Sequence, residues 1–179
     1  MPYVAGSTAV FTSSGATMSE NILSRTMINY VEEAVVREDD ERRALTLLKA
    51  LLAASILSTA IHYTHNFVAV NRYPGPGGDF HTLIRVAIVI AWPLLTAIGL
   101  IGYRRYSEGR YNEARVCLVT YSLTGLVTIG HFIYGNPHIP GFFYATIFTD
   151  TLSGMAILAF VLWSSSAIEK PGGGHTLNA

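Results

Sequence analysis

His62 and His65 sit three residues apart in the stretch Ile61-His62-Tyr63-Thr64-His65-Asn66, near the far end of a long apolar run. If that run is helical, both imidazoles leave one face about one turn apart. A ring that wants two hydrogen-bond partners is costly in hydrocarbon, so a pair of them there implies a function or a partner. His131 and Asp150 lie in two later apolar runs. Three imidazoles and a carboxylate suit zinc, copper(II) or non-haem iron, and inward-facing side chains of a helix bundle are a common way to assemble such a site. An open coordination position would permit water activation or oxygen chemistry. Asn66, Tyr63, Thr128, Arg85 and His138 are the candidates for orienting the ligands or admitting an ion.

Other readings of the same residues remain open. Asp150 can pair with His131 or His62 as an interhelical contact that only holds the bundle together, and such a pair can equally relay protons. One or two of the histidines could bind haem or another pigment, although four grouped ligands fit a bare ion better than a macrocycle. Arg85 is expected to reach lipid headgroups, with a pairing to Asp150 as the alternative. Tyr63, Tyr73, Tyr134, Phe142, Phe143 and Tyr144 suit an interfacial belt, with Trp163 at the opposite boundary.

The elements that would position these groups are transmembrane helices. Half of the 179 residues are apolar and 13% are charged, well away from the composition of soluble domains. With zero net charge there is no electrostatic case for nucleic acid. The single cysteine, Cys117, excludes an intrachain disulfide and any CxxC site. Four apolar segments, at about 44–70, 82–103, 114–134 and 142–164, each approach the roughly 20 residues that cross a bilayer as a helix. Pro93 should kink the second. Short Gly/Pro-containing connections favour an up-down-up-down bundle.

Ahead of the spans, residues 1–17 read as a flexible small-residue leader lacking the pattern of a secretory signal, so that insertion would rely on the internal runs; Met18 or Met27 could serve as alternative starts. Residues 18–41 carry Ile22, Met27, Ile28, Val31, Val35 and Val36 at helical spacing, an amphipathic cytoplasmic helix for a membrane surface or a partner subunit. Arg37 to Arg43 reads as a solvated junction, and residues 168–179 as a disordered tail. Lys and Arg concentrate before span one, between spans two and three, and after span four, which puts both termini in the cytoplasm.

That topology allows a convergence test. Asp150 falls about 12 Å below the non-cytoplasmic surface at 1.5 Å per residue, and His62, His65 and His131 share its leaflet. Polar stripes run through span one (Ser55, Ser58 or Thr59, His62, His65 or Asn66), span three (Tyr121, Thr124, Thr128, His131) and span four (Thr146, Asp150, Ser153). Such stripes turn inward because an unpaired polar group facing acyl chains costs several kcal/mol. Gly125, Gly130 and Gly154 would let the helices approach closely. The expectation is an all-α integral membrane protein, a four-transmembrane-helix up-down-up-down bundle in a lipid bilayer. It would bind a transition metal (zinc, copper or iron) as a membrane metalloenzyme or a metal-bearing subunit. The alternatives are an accessory subunit of a membrane complex or homo-oligomer, and a small proton or ion carrier using Asp150 and the histidines.

Overall fold

The structure, a computed structural model, describes residues 14–76 and 79–167, with side chains from residue 23 to 76 and 79 to 166. Most of the expected leader and all of the tail lie outside these residues. The described chain is all-α, with four helices: α1 (Ser14–Val68), α2 (Phe80–Ser107), α3 (Tyr111–Leu126) and α4 (Gly141–Ala167). Short 3-10 segments follow α1 at Val70–Arg72 and α3 at Val127–Phe132. The chain divides into two compact units, Met1–Asp40 and Glu41–Ala179.

In the first unit the described residues are helical, and Leu23, Met27, Ile28, Tyr30, Val31, Val35 and Val36 are all exposed. The charged run Arg37 to Arg43, read from sequence as a junction, is helical too. Neither proline nor glycine interrupts it, and Glu, Arg and Ala are good helix formers, so nothing in the sequence stops the helix there.

In the second unit, interhelical contacts fix the directions. Ser153 bonds to Ser55 and His62 to Thr146, so α4 runs opposite to α1. Tyr121 bonds to Ser55 and Tyr63 to Thr124, so α3 runs with α1. Trp92 bonds to Thr59 and Arg85 to Phe67, so α2 runs against α1. Successive helices of this unit therefore alternate in direction.

Among the described residues, three helical stretches are long and apolar enough to cross a membrane: Leu23–Val68, Phe80–Ser107 and Gly141–Ser166. Together they make this a multi-span helical membrane protein. On α2 the large residues Leu83, Val89, Ile90 and Leu94 face outward, as lipid contact requires. The expected third span departs from a plain helix, because α3 gives way to 3-10 geometry at Val127. In that segment the hydroxyl of Thr128 donates to Gly125 O at 2.5 Å, and Val127, Thr128 and Ile129 are β-branched. A 3-10 segment has three residues per turn, which keeps Thr128 and His131 on one side.

The two ends of the bundle pack differently. At one end Ala44, Leu48, Leu52, Tyr106, Leu118, Tyr121, Ile157 and Phe160 form the apolar core. Gly99 and Gly102 let α2 close on α3 there, since an added Cβ would lie 2.7 Å from the Tyr121 ring at the first and 3.0 Å from Leu118 at the second. The turn into α3 uses Gly109 at φ 72°, a left-handed conformation that glycine adopts without steric cost, with Gly109 N–H donating to Tyr106 O. At the middle of the bundle α3 crosses α4 backbone to backbone. A Cβ on Gly125 would strike Asp150 O, and one on Gly154 would lie 2.7 Å from Ser122 O. This crossing sets where Asp150 stands.

Candidate functional site

Helical periodicity delivers the polar face of α1. Ser55, Thr59, His62 and Asn66, at i, i+4, i+7 and i+11, are all buried. Opposite them Thr124, Thr128, Thr146 and Asp150 are buried as well. Hydroxyls along the stripes satisfy themselves on their own helices: Thr59 donates to Ser55 O, Thr124 to Tyr121 O and Thr146 to Phe143 O. The interior can therefore be polar without leaving many orphaned groups.

Asp150 and His62, both 0% exposed, form the heart of the site. Ser58 Oγ donates to Asp150 Oδ1 and lies 2.8 Å from Thr149 Oγ1. The other carboxylate oxygen, Oδ2, has no hydrogen-bond partner and lies 3.9 Å from His62 Nδ1. That nitrogen is 3.1 Å from Thr146 Oγ1. On the opposite edge of the ring, His62 Nε2 is 3.0 Å from His131 Nε2. Asp150, His62 and His131 thus form a line with His62 in the middle, since its two nitrogens face different neighbours.

The proton positions follow from donor counting. The only hydroxyl proton of Thr146 goes to Phe143 O, so Thr146 accepts from His62 Nδ1–H. His62 Nε2 is then an acceptor, and His131 Nε2–H donates to it. The Asn66 amide nitrogen lies 3.3 Å from the same His131 nitrogen, which would set two donors against each other, while Asn66 Oδ1 is buried with no partner. Turning that amide by half a rotation puts its oxygen beside His131 and resolves the conflict.

The remaining expected residues separate from this line. His65 Nδ1 is 2.8 Å from Tyr73 Oη, and its ring stacks on Phe143 at 3.7 Å. Its orientation follows from helix geometry: counted from His62 at 100° per residue, residue 66 is the closer of the two in angle, so Asn66 takes the inward place. Arg85 Nε donates to Phe67 O at 3.2 Å, serving one of the last carbonyls of α1. His138 is exposed, and its backbone N–H donates to Arg72 O, tying the loop before α4 to the end of α1. Tyr63, expected in the interfacial belt, instead donates to Thr124 O at 2.7 Å. Thr128 is within 3.1 Å of Thr151 Oγ1. Among the described residues no group of three or more His, Cys, Asp or Glu side chains is arranged to hold a metal ion.

Tyr73 is the functional neighbour that sequence reasoning placed elsewhere. Read as a belt residue, it is buried, with its ring centroid 4.8 Å from that of His131 and 6.2 Å from that of His62. Burial, with the Asp150 carboxylate behind it, pushes the Tyr73 phenol up to about 12, so it stays protonated beside His65. Its position between two prolines and a 3-10 turn carries no periodic signal. No family model, no curated protein and no solved structure matches this chain.

Proposed function

We propose that this multi-span membrane protein moves protons through its interior along Asp150, His62 and His131. The observation that carries the reading is the placing of His62, with a carboxylate on its Nδ1 side and a second imidazole on its Nε2 side. An imidazole can take a proton on one nitrogen and release it from the other, which is what a relay requires of its middle member. The unpartnered Asp150 oxygen supplies an acceptor at one end. His131, only partly buried, opens the other. In this reading α3 and its 3-10 extension form a fourth crossing. Sixteen α residues and six 3-10 residues reach roughly 36 Å, enough for about 30 Å of hydrocarbon. Both termini then lie on the cytoplasmic side, and the exposed apolar residues from Leu23 to Val36 meet a membrane surface or another subunit.

The test is proton flux. Protein reconstituted into liposomes with an internal pH dye should dissipate an imposed gradient faster than empty liposomes, and Asp150→Asn and His62→Phe should each slow that rate at least tenfold. Equal rates in wild type and both variants would overturn the proposal.

A second reading, metal binding, rests on the His62–His131 pair. Two nitrogens 3.0 Å apart are close to the roughly 3.3 Å spanned by two ligands about 2.05 Å from a tetrahedral ion, and the Asn66 amide lies beside them. His65 and Asp150 would not share that ion, because Asp150 approaches the opposite edge of His62. Stoichiometric zinc, copper or iron after metal-replete purification, lost in His131→Ala, would favour this reading over the relay.

A further inference from the structure

Beside the His131 end of the line lies a cavity of about 260 Å³ between α1, α2 and the α3 extension, bordered by Tyr63, Asn66, Ile88, Ala91, Trp92 and His131. A second cavity of about 180 Å³, reaching Tyr73 and His81, also touches Asn66 and His131. Their origin is in the packing of α2. That helix is closed on α3 at Gly99 and Gly102, carries Pro93, and lines the cavity along its first half with Ile84, Ala87, Ile88, Ala91 and Trp92. The small side chains at 87 and 91 leave the space unfilled.

The walls are apolar except at one end. There Asn66, 2% exposed, holds an oxygen with no partner, and His131 stands next to it. A buried amide with an unused polar atom is costly, so a ligand that completes it gains affinity. Turned either way, the amide leaves one atom unserved: an acceptor in one orientation, a donor in the other. A hydroxyl answers both, because it donates and accepts. For size, an apolar cavity of about 150 Å³ takes benzene, so about 260 Å³ accommodates one ring with alkyl substituents.

We propose that this cavity binds a lipid-soluble phenol, its ring and alkyl groups against Ile88, Ala91 and Trp92 and its hydroxyl on Asn66. The site goes beyond the relay and stands on the cavity alone. Thymol and p-cymene make a matched pair of probes, since they differ only by the hydroxyl. Calorimetric titration into the detergent-solubilised full-length protein should give saturable one-to-one binding of thymol, with p-cymene at least about tenfold weaker. Asn66→Leu should erase that difference, and Ala91→Phe, which fills the cavity, should abolish saturable binding of both. If Ala91→Phe does not assemble, as judged by size-exclusion chromatography, Ile88→Trp serves the same purpose from a half-buried position. Equal affinity for the two probes would mean that an apolar filler such as an acyl chain suffices, and would overturn the hydroxyl assignment. Heats that are the same in wild type and the filled variant would overturn the site. Thymol binding in a protein without proton flux would end the relay and leave the cavity standing.

Discussion

The two ends of the bundle are built on opposite principles. At the Ala44, Leu118 and Phe160 end, side chains interdigitate, two glycines bring α2 onto α3, and the core is a cluster of buried apolar and tyrosine side chains. At the His62, His131 and Asp150 end, a buried carboxylate oxygen and one atom of the Asn66 amide lack partners, α3 tightens into a 3-10 segment, and two cavities remain. Between them stands the glycine crossing of α3 and α4. Packing at the first end holds the helices in register, and that register is spent at the second on keeping costly groups close together. A protein needing only stability would fill the histidine end with leucine.

Breaking the crossing should have the largest effect. Gly125→Leu drives a side chain into the backbone of Asp150, which cannot step aside, so a loss of more than about 4 kcal/mol is expected, seen as failure to recover folded protein in detergent. Next comes the apolar end. Leu118→Ala leaves a cavity in a close-packed core and should cost about 2–4 kcal/mol in a reversible unfolding assay, while proton flux of the folded protein is kept. The reverse pattern is expected at the other end. Asp150→Asn keeps the shape and removes a buried, half-satisfied charge, so stability should change by less than about 1 kcal/mol or rise, while flux is lost. If Leu118→Ala abolished flux or Asp150→Asn unfolded the protein, the division between the two ends would not hold.

Smaller effects sharpen the boundary. Because burial raises the Tyr73 phenol to about 12 from its ordinary 10, the folded state prefers the protonated form. Its contribution to stability is therefore complete below pH 10 and declines as the pH climbs from 10 towards 12. Wild type should lose stability across that window relative to Tyr73→Phe, and parallel curves would place Tyr73 in solvent. Arg85→Ala removes one hydrogen bond to the end of α1, at a cost of about 1 kcal/mol or less by the same unfolding assay, with no change in flux.

Much of this was legible in the sequence, for reasons that also explain the rest. The 3.6-residue period put Ser55, Thr59, His62 and Asn66 on one face, and the polar stripes of the later runs turned His131 and Asp150 towards it. A polar stripe leaves neighbours open: residues 65 and 66 both lie near the face, the angle from His62 favours residue 66, and Asn66 is the one buried. Nor does it report which edge of an imidazole meets a partner, so three of the four candidate ligands form a line rather than a cage and His65 stands apart. Tyr73 was hidden because its burial arises from the fold around a loop, and the solvated junction of Arg37 to Arg43 is helical because it holds no breaker residue.

The central claim is that one proton is shared between His62 and His131 and can be passed on towards Asp150. Nitrogen-15 NMR of the histidine-labelled protein in lipid tests it most directly, by coupling across the hydrogen bond between the two Nε2 atoms. The account predicts such a coupling in wild type, its disappearance in His131→Gln, and a change in the protonation equilibrium of His62 when Asp150 becomes Asn. Two imidazoles without mutual coupling, whose titration ignores residue 150, would contradict it.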